Sequence, residues 1–169
     1  MLVRLAGWIA ALTVAAGVVW LGWYGYQSSR ATTGGLNVIG LLRDVQTCVG
    51  LSYEAFQKRL APAEEFSAVP KMKATRFASR LEWDPASLRA TATFAETHPD
   101  YDGKTIWTAA QVDATGSLRW TCGTTIDRSA MSYENVGEFI QRCERPLDTD
   151  PRMIDYCSRY VPLPPRRPQ

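Results

Sequence analysis

The sequence is poor in the residues that carry chemistry. It holds one histidine, His98, among 169 residues, and no Cys-x-x-Cys pair, so the usual ligand set of a structural zinc site is missing. No Gly-x-Ser-x-Gly, no His-Glu-x-x-His and no phosphate-binding glycine loop occurs. Asp100-Tyr101-Asp102-Gly103 lacks the further ligands and trailing glutamate of a calcium loop and reads as a turn. His98, beside Pro99 in that turn, reads as a solvated loop residue. No catalytic residue, metal, cofactor or small-molecule substrate is therefore assigned, and the expectation is a protein that is not an enzyme. Charge of one sign is also lacking overall: 19 Lys and Arg against 17 Asp and Glu leave +2, which gives nucleic acid no global attraction. The sharpest absence is local. No acidic residue precedes Asp44, and no charge of either sign occurs from Leu5 to Tyr26.

In that charge-free stretch, 17 of 22 residues are hydrophobic, although the mean hydropathy of the whole chain is −0.20. As a helix the stretch measures about 33 Å, against about 30 Å of bilayer hydrocarbon. The sequence thus predicts a transmembrane anchor over residues 1–30, with Trp20, Trp23, Tyr24 and Tyr26 at the membrane interface. Gly7, Ala11 and Ala15 form a small-residue stripe along it. Arg4 and Arg30 flank the run and do not decide its orientation. Cys48, Cys122, Cys143 and Cys157 all lie beyond it, and an even set of cysteines suits an exported, disulfide-bonded domain. The expected placement is a single pass through a bacterial inner membrane, with the C-terminal domain in the periplasm.

Beyond Thr32-Thr33-Gly34-Gly35, Val38, Leu42, Val45, Val49, Tyr53, Phe56 and Leu60 recur at helical spacing, with Gln46 among the residues off the stripe and Pro62 a stop. Anchor and amphipathic helix are expected to form one long rod, kinked or interrupted at the Ser/Thr/Gly stretch. Ala61–Lys73 reads as a connecting loop. The period then becomes two. Thr75, Phe77, Ser79, Leu81 and Trp83 predict one strand face, and Leu88, Ala90, Ala92 and Phe94 the next. A third strand runs from Lys104 to Val112, and Asp113-Ala114-Thr115-Gly116 turns it into a fourth carrying Leu118, Trp120 and Cys122 on one face. Val136, Phe139, Ile140 and Cys143, with Ser132 as N-cap, predict a short helix, and Thr149-Asp150-Pro151 opens another toward Cys157. Residues 161–169 read as an extended Pro/Arg-rich tail. The fold class is α+β: a transmembrane helix continuing into an amphipathic helix packed on a four-stranded antiparallel sheet. The domains are an anchor (1–30), a globular domain (31–160) and the tail.

This order of parts resembles a type IV pilin. The local wording resembles it too: Ala90-Thr91-Ala92-Thr93-Phe94, Asp102-Gly103-Lys104-Thr105-Ile106, and Gly116-Ser117-Leu118-Arg119-Trp120-Thr121-Cys122, which looks like the pilin strand ending in Gly-Ser-Leu-x-Trp-x-Cys. Tyr160-Val161-Pro162 resembles the Tyr-Leu-Pro before the last pilin cysteine, and the stretch Tyr26-Gln27 to Arg30 resembles the residues just beyond the pilin membrane segment. Two departures shape what the resemblance implies. Gly7-Trp8 offers a processing-site glycine and aromatic, but Leu12 stands where the family has glutamate; Pro165 stands where its final cysteine falls. The resemblance implies a structural or interaction protein of type IV pilus assembly or function, in adhesion or motility, as minor pilin or accessory factor, with pilin subunits, assembly proteins and membrane as partners. It also implies a C-terminal disulfide, Cys122 with Cys157 or Cys143, leaving the other to meet Cys48, ahead of Cys48 with Cys122. The alternative reading is a DNA-uptake module contacting nucleic acid through the basic strand face of Arg76 and Arg80.

Overall fold

The computed structural model describes residues 2–60, 63–72, 76–130, 133–143 and 151–163, with side chains from residue 12 onward except at 63, 64, 151 and 152. Helix α1, Leu2–Ala55, runs through 54 residues without interruption, about 80 Å at 1.5 Å per residue. The expected interruption at Thr32-Thr33-Gly34-Gly35 does not occur. Gly34 serves a different purpose there: a Cβ on it would lie 2.3 Å from Thr97 Cγ2 and 3.0 Å from Thr97 Cβ, so glycine lets the segment after the second strand cross the helix. Packing on both sides overrides the weak local helix propensity. The helix closes ahead of Pro62, where Gln57 and Lys58 take left-handed φ values of 56° and 62° and the Lys58 N–H donates to the Tyr53 carbonyl at 2.9 Å.

Four strands come next: β1 (Ala78–Asp84), β2 (Arg89–Phe94), β3 (Thr105–Val112) and β4 (Leu118–Thr124), antiparallel in the order β1-β2-β3-β4. Ala90, Ala92 and Phe94 of β2, Ile106, Thr108 and Ala110 of β3, and Trp120 of β4 are buried on the face toward α1. Against them α1 lays Val38, Leu42, Val45 and Val49, each fully buried. In β1 the expected alternation fails at one place. A bulge between Ala78 and Arg80 shifts the register, so Ala78 and Leu81 are the buried residues and Ser79 is exposed. The connection before β1 contains two short 3-10 turns, Ala63–Phe66 and Val69–Lys71, and it is no mere surface loop: Phe66, Val69 and Met72 are almost wholly buried in the core.

Helices α2 (Tyr133–Gln141) and α3 (Pro151–Cys157) pack on α1. Two disulfides tie these layers: Cys48–Cys157 joins α1 to α3, and Cys122–Cys143 joins β4 to the chain just past α2. This is one of the pairings the sequence left open. Ser132, Thr149-Asp150 and residues 164–169 of the tail lie outside the described residues.

The α+β class with its four-stranded antiparallel sheet and long helix stands; its membrane part does not. Among the described residues no helix is long and apolar enough to cross a membrane. This overturns the transmembrane anchor expected over 1–30 and the single-pass inner-membrane placement built on it. The reason lies after Leu21. Trp23, Tyr24 and Tyr26 count as hydrophobic yet carry polar N–H or O–H groups, and Gly22, Gly25, Gln27, Ser28 and Ser29 add no hydrocarbon between them. The Leu5–Ala11 part of the expected span, with Gly7 and Ala11 of its small-residue stripe, lies outside the residues whose side chains are described.

Candidate functional site

The most exposed apolar surface among the described residues is the stretch of α1 that precedes the head. From Leu12 to Tyr26 every side chain is exposed, and the large ones are mostly bare: Leu12 67%, Val19 72%, Trp20 63%, Leu21 63%, Trp23 61%. The head begins at Ala31, which is 1% exposed. Trp20, Trp23, Tyr24 and Tyr26, the residues expected at a membrane interface, form an exposed collar just outside the head. Trp20 stacks on Tyr24 with ring centroids 5.6 Å apart, and Trp23 meets Tyr26 at 6.2 Å. Spacings of three and four residues bring these rings together on the helix surface. Leu12, Ala15, Ala16, Val19, Trp20 and Trp23 line one open apolar groove along it.

Where α1 enters the head, the segment between β2 and β3 clasps it. Glu96, held at a left-handed φ of 50°, is gripped twice: Arg30 of α1 donates to its carbonyl, and Arg76 Nε donates to its carboxylate at 2.9 Å. The Thr97 N–H and hydroxyl both donate to Asp102 Oδ1 at 2.8 Å, which fixes Thr97 against Gly34. A recess of about 180 Å³ opens beside this clasp, lined by Tyr26, Ser29, Arg30, Thr33, Arg76 and Phe77. His98 is buried rather than solvated, at 8% exposure, because the segment folds inward on Tyr101. Its Nδ1 accepts the Asp100 N–H at 3.2 Å. Burial, helped by the charges of Asp100 and Tyr133, pushes the Tyr101 phenol up to about 12.

The two arginines expected to form a basic face lie apart and are each paired. Arg76 precedes β1 and bonds Glu96 at 2.9 Å; Arg80, on the outward face of β1, bonds Glu82 at 2.6 Å. Both pairs are largely exposed and locally neutral, so they concentrate no positive field for a phosphate backbone.

Behind the sheet, Gln46 emerges as a residue the sequence misplaced. It is 3% exposed, and its Nε2 donates to Thr108 Oγ1 at 2.8 Å with Cys143 and Cys122 Sγ at 3.5 and 3.6 Å. The Thr108 hydroxyl in turn lies 3.4 Å from Cys122 Sγ. One amide thus satisfies the polar lining around the Cys122–Cys143 bridge where α1 meets the sheet. Its only trace in the sequence is its place next to Val45, on the border of the apolar stripe. All four cysteines are consumed in bridges. Among the described residues no group of three or more His, Cys, Asp or Glu side chains is placed to hold a metal ion.

The arrangement therefore defines a class by architecture: a disulfide-tied α+β head on a long helix whose stretch from Leu12 to Tyr26 is exposed and mostly apolar. No family model, no curated protein and no solved structure matches the chain.

Proposed function

We propose that this chain is a pilin-like structural protein of a type IV pilus, acting as minor subunit or accessory factor through contacts rather than through a reaction. One observation carries the reading: a single helix spans two environments, folded into a head from Ala31 onward and stripped bare from Leu12 to Tyr26. Fully burying one Leu, Val or aromatic side chain is worth about 1.5–3 kcal/mol, so nine or so such groups in water favour association strongly. A rod of apolar side chains continuous with a rigid head suits packing among parallel helices of like subunits. The sheet order, the β4 bridge and the Gly-Ser-Leu-Arg-Trp-Thr-Cys strand agree with the pilin resemblance.

The test places a photo-crosslinking residue at Val18 in cells that make the protein, with exposed Ala114 of the β3–β4 turn as control. The expected result is an adduct with pilin or with a pilus assembly protein from Val18. Recovery in sheared filaments with Trp8 as first residue marks a processed subunit, and recovery only in the cell body with Met1 retained marks an accessory factor. Absence of any pilin or assembly-protein adduct from Val18 in both fractions overturns the proposal.

A further inference from the structure

The apolar groove on α1 and the polar recess beside the clasp fall on one line. In the groove, about 550 Å³ in volume, Leu12, Ala16, Val19 and Trp23 follow one another at helical steps of three or four residues. Tyr26, Arg30 and Thr33 of the recess continue the same steps. On an uninterrupted helix this spacing keeps to one face, so the groove leads into the recess. Arg76 and Phe77 of the head form the far wall.

The recess carries unbalanced charge. Arg30 and Arg76 both line it, and one carboxylate, Glu96, stands beside them. That carboxylate bonds Arg76 at 2.9 Å, whereas Arg30 donates to the Glu96 carbonyl and lies 5.8 Å from the Tyr26 ring centroid. A carbonyl and a ring leave the charge of Arg30 in place. Asp102, across the clasp, is engaged by the Thr97 N–H and hydroxyl. Ser29 and Thr33 add hydroxyl donors to the recess. Guanidinium forks and hydroxyls converging on about 180 Å³ suit the oxygens of one phosphate group.

The groove gives that phosphate an apolar continuation. From Tyr26 to Leu12 the helix axis runs about 21 Å, the reach of an extended long acyl chain. A mostly apolar site with a few convergent polar groups is the usual form of a small-ligand site. A second helix, about 10–12 Å across, would meet the wall of Arg76 and Phe77 before it reached the recess, while one acyl chain is narrow enough to enter.

We infer that this face binds one anionic phospholipid, its phosphate seated between Arg30 and Arg76 and one acyl chain laid along the groove toward Leu12. The lipid is held as a ligand, since among the described residues no helix is long and apolar enough to cross a membrane. The inference concerns the isolated chain and stands apart from the pilus reading: its failure leaves the Val18 cross-links as they are.

The test incubates the full oxidised chain, in a nonionic detergent, with phosphatidylglycerol and counts retained lipid by native mass spectrometry. One lipid per chain is expected, and brominating its acyl chain quenches Trp fluorescence. Diacylglycerol, which lacks the phosphate, is not retained. Arg30→Gln weakens retention about tenfold or more, the loss of one charge-assisted hydrogen bond. Val19→Gln, at a site 72% exposed and outside the core, weakens it with the fold intact by circular dichroism. Arg80→Gln, remote and paired with Glu82, leaves it within about twofold. Absence of one-to-one retention, equal retention by Arg30→Gln or Val19→Gln, equal retention of diacylglycerol, equally tight binding of glycerol phosphate without acyl chains, or a lipid-free dimer of the chain in the same mixture each overturns the inference.

Discussion

An alanine at position 34 tests the way the head grips the helix. In an ordinary exposed helix, Gly→Ala stabilises by about 1 kcal/mol because alanine loses less backbone freedom and has the best helix propensity. At Gly34 the new Cβ would sit 2.3 Å from Thr97 Cγ2, 3.0 Å from Thr97 Cβ and 3.3 Å from Phe77 Cδ1. Thr97 cannot swing away at little cost, because its N–H and hydroxyl are both held by Asp102. Overpacking of this kind costs about 1–3 kcal/mol. At Gly40, in the same helix, a Cβ would meet nothing within 4 Å. Gly40→Ala should therefore stabilise by about 0.5–1 kcal/mol, while Gly34→Ala should be neutral to destabilising, leaving about 1–3 kcal/mol between them. Urea unfolding followed by circular dichroism, with disulfides intact, measures both. Thr97→Ser removes Cγ2 and keeps the hydroxyl, so combined with Gly34→Ala it should return about 0.5 kcal/mol or more in a double-mutant cycle. Equal stabilisation by the two alanines, within about 0.5 kcal/mol, or a zero coupling to Thr97, would show that the crossing is loose and refute the reasoning.

Replacing Cys48 and Cys157 by Ser should cost more than replacing Cys122 and Cys143. The first bridge closes 109 residues and the second 21, about 5 against about 3 kcal/mol of unfolded-state entropy, a difference that denaturant midpoints on the two double variants will read. Val18→Lys should abolish recovery with pilin or assembly protein while leaving the thermal midpoint of the head unchanged, because Val18 is 65% exposed and outside the core. Asp113 is held well below the usual carboxylate range, first by the Arg119 guanidinium and then by the Thr115 hydroxyl and the Ser117 N–H. A depressed folded value means that its support of the β3–β4 turn is complete above the ordinary Asp range and disappears only as strong acid protonates it. Carboxyl NMR should show Arg119→Ala moving its titration upward. Burial, as the largest cause, raises Tyr101 and Tyr156 from 10.0 to about 12. Raised values mean stability that is full below pH 10 and lost toward pH 12, and spectrophotometric titration of wild type against Tyr101→Phe and Tyr156→Phe should show both phenols ionising late.

Legibility followed the periodicity of each segment. In β2 the alternation of Arg89, Thr91 and Thr93 with Ala90, Ala92 and Phe94 has no irregularity, and the buried face can be read straight from the chain. In β1 one bulge inverts the phase, and no local signal marks it, since Ser79 and Ala78 are equally compatible with either face. Phe66, Val69 and Met72 were hidden by their spacing, which fits neither period, and by Pro62 and Pro70 around them. Glycine misled at 34 because the same residue suits a helix break and a close crossing, and the choice depends on a threonine 63 positions away. Of the proposed interaction surface, the aromatic collar was visible as a cluster of rings. Its surroundings were misassigned because Trp and Tyr were weighed as hydrocarbon.

That misassignment shifts the physical problem posed by α1. A lipid-spanning helix needs an apolar coat long enough to cross the hydrocarbon. The exposed stretch of α1 from Leu12 to Tyr26 has a different character: aromatic rings in contacting pairs beside Gly22 and Gly25, at neither of which would a Cβ meet any neighbour. Rings next to bare backbone make a surface with relief, and relief is what another helix can complement. The clasp of Arg30, Arg76 and Glu96 fixes that surface relative to the head, because it fastens the last turns outside the core to the segment that also pins Gly34. Under the proposed function, a partner docking on the collar would meet a set orientation of the sheet, and the helix would act as a register device as well as an apolar contact. Cutting the clasp with Arg76→Ala should leave the head folded, since that pair is exposed and contributes about 0–1 kcal/mol, yet broaden the set of residues cross-linked from Val18. An unchanged adduct pattern would show that the helix emerges rigidly without it.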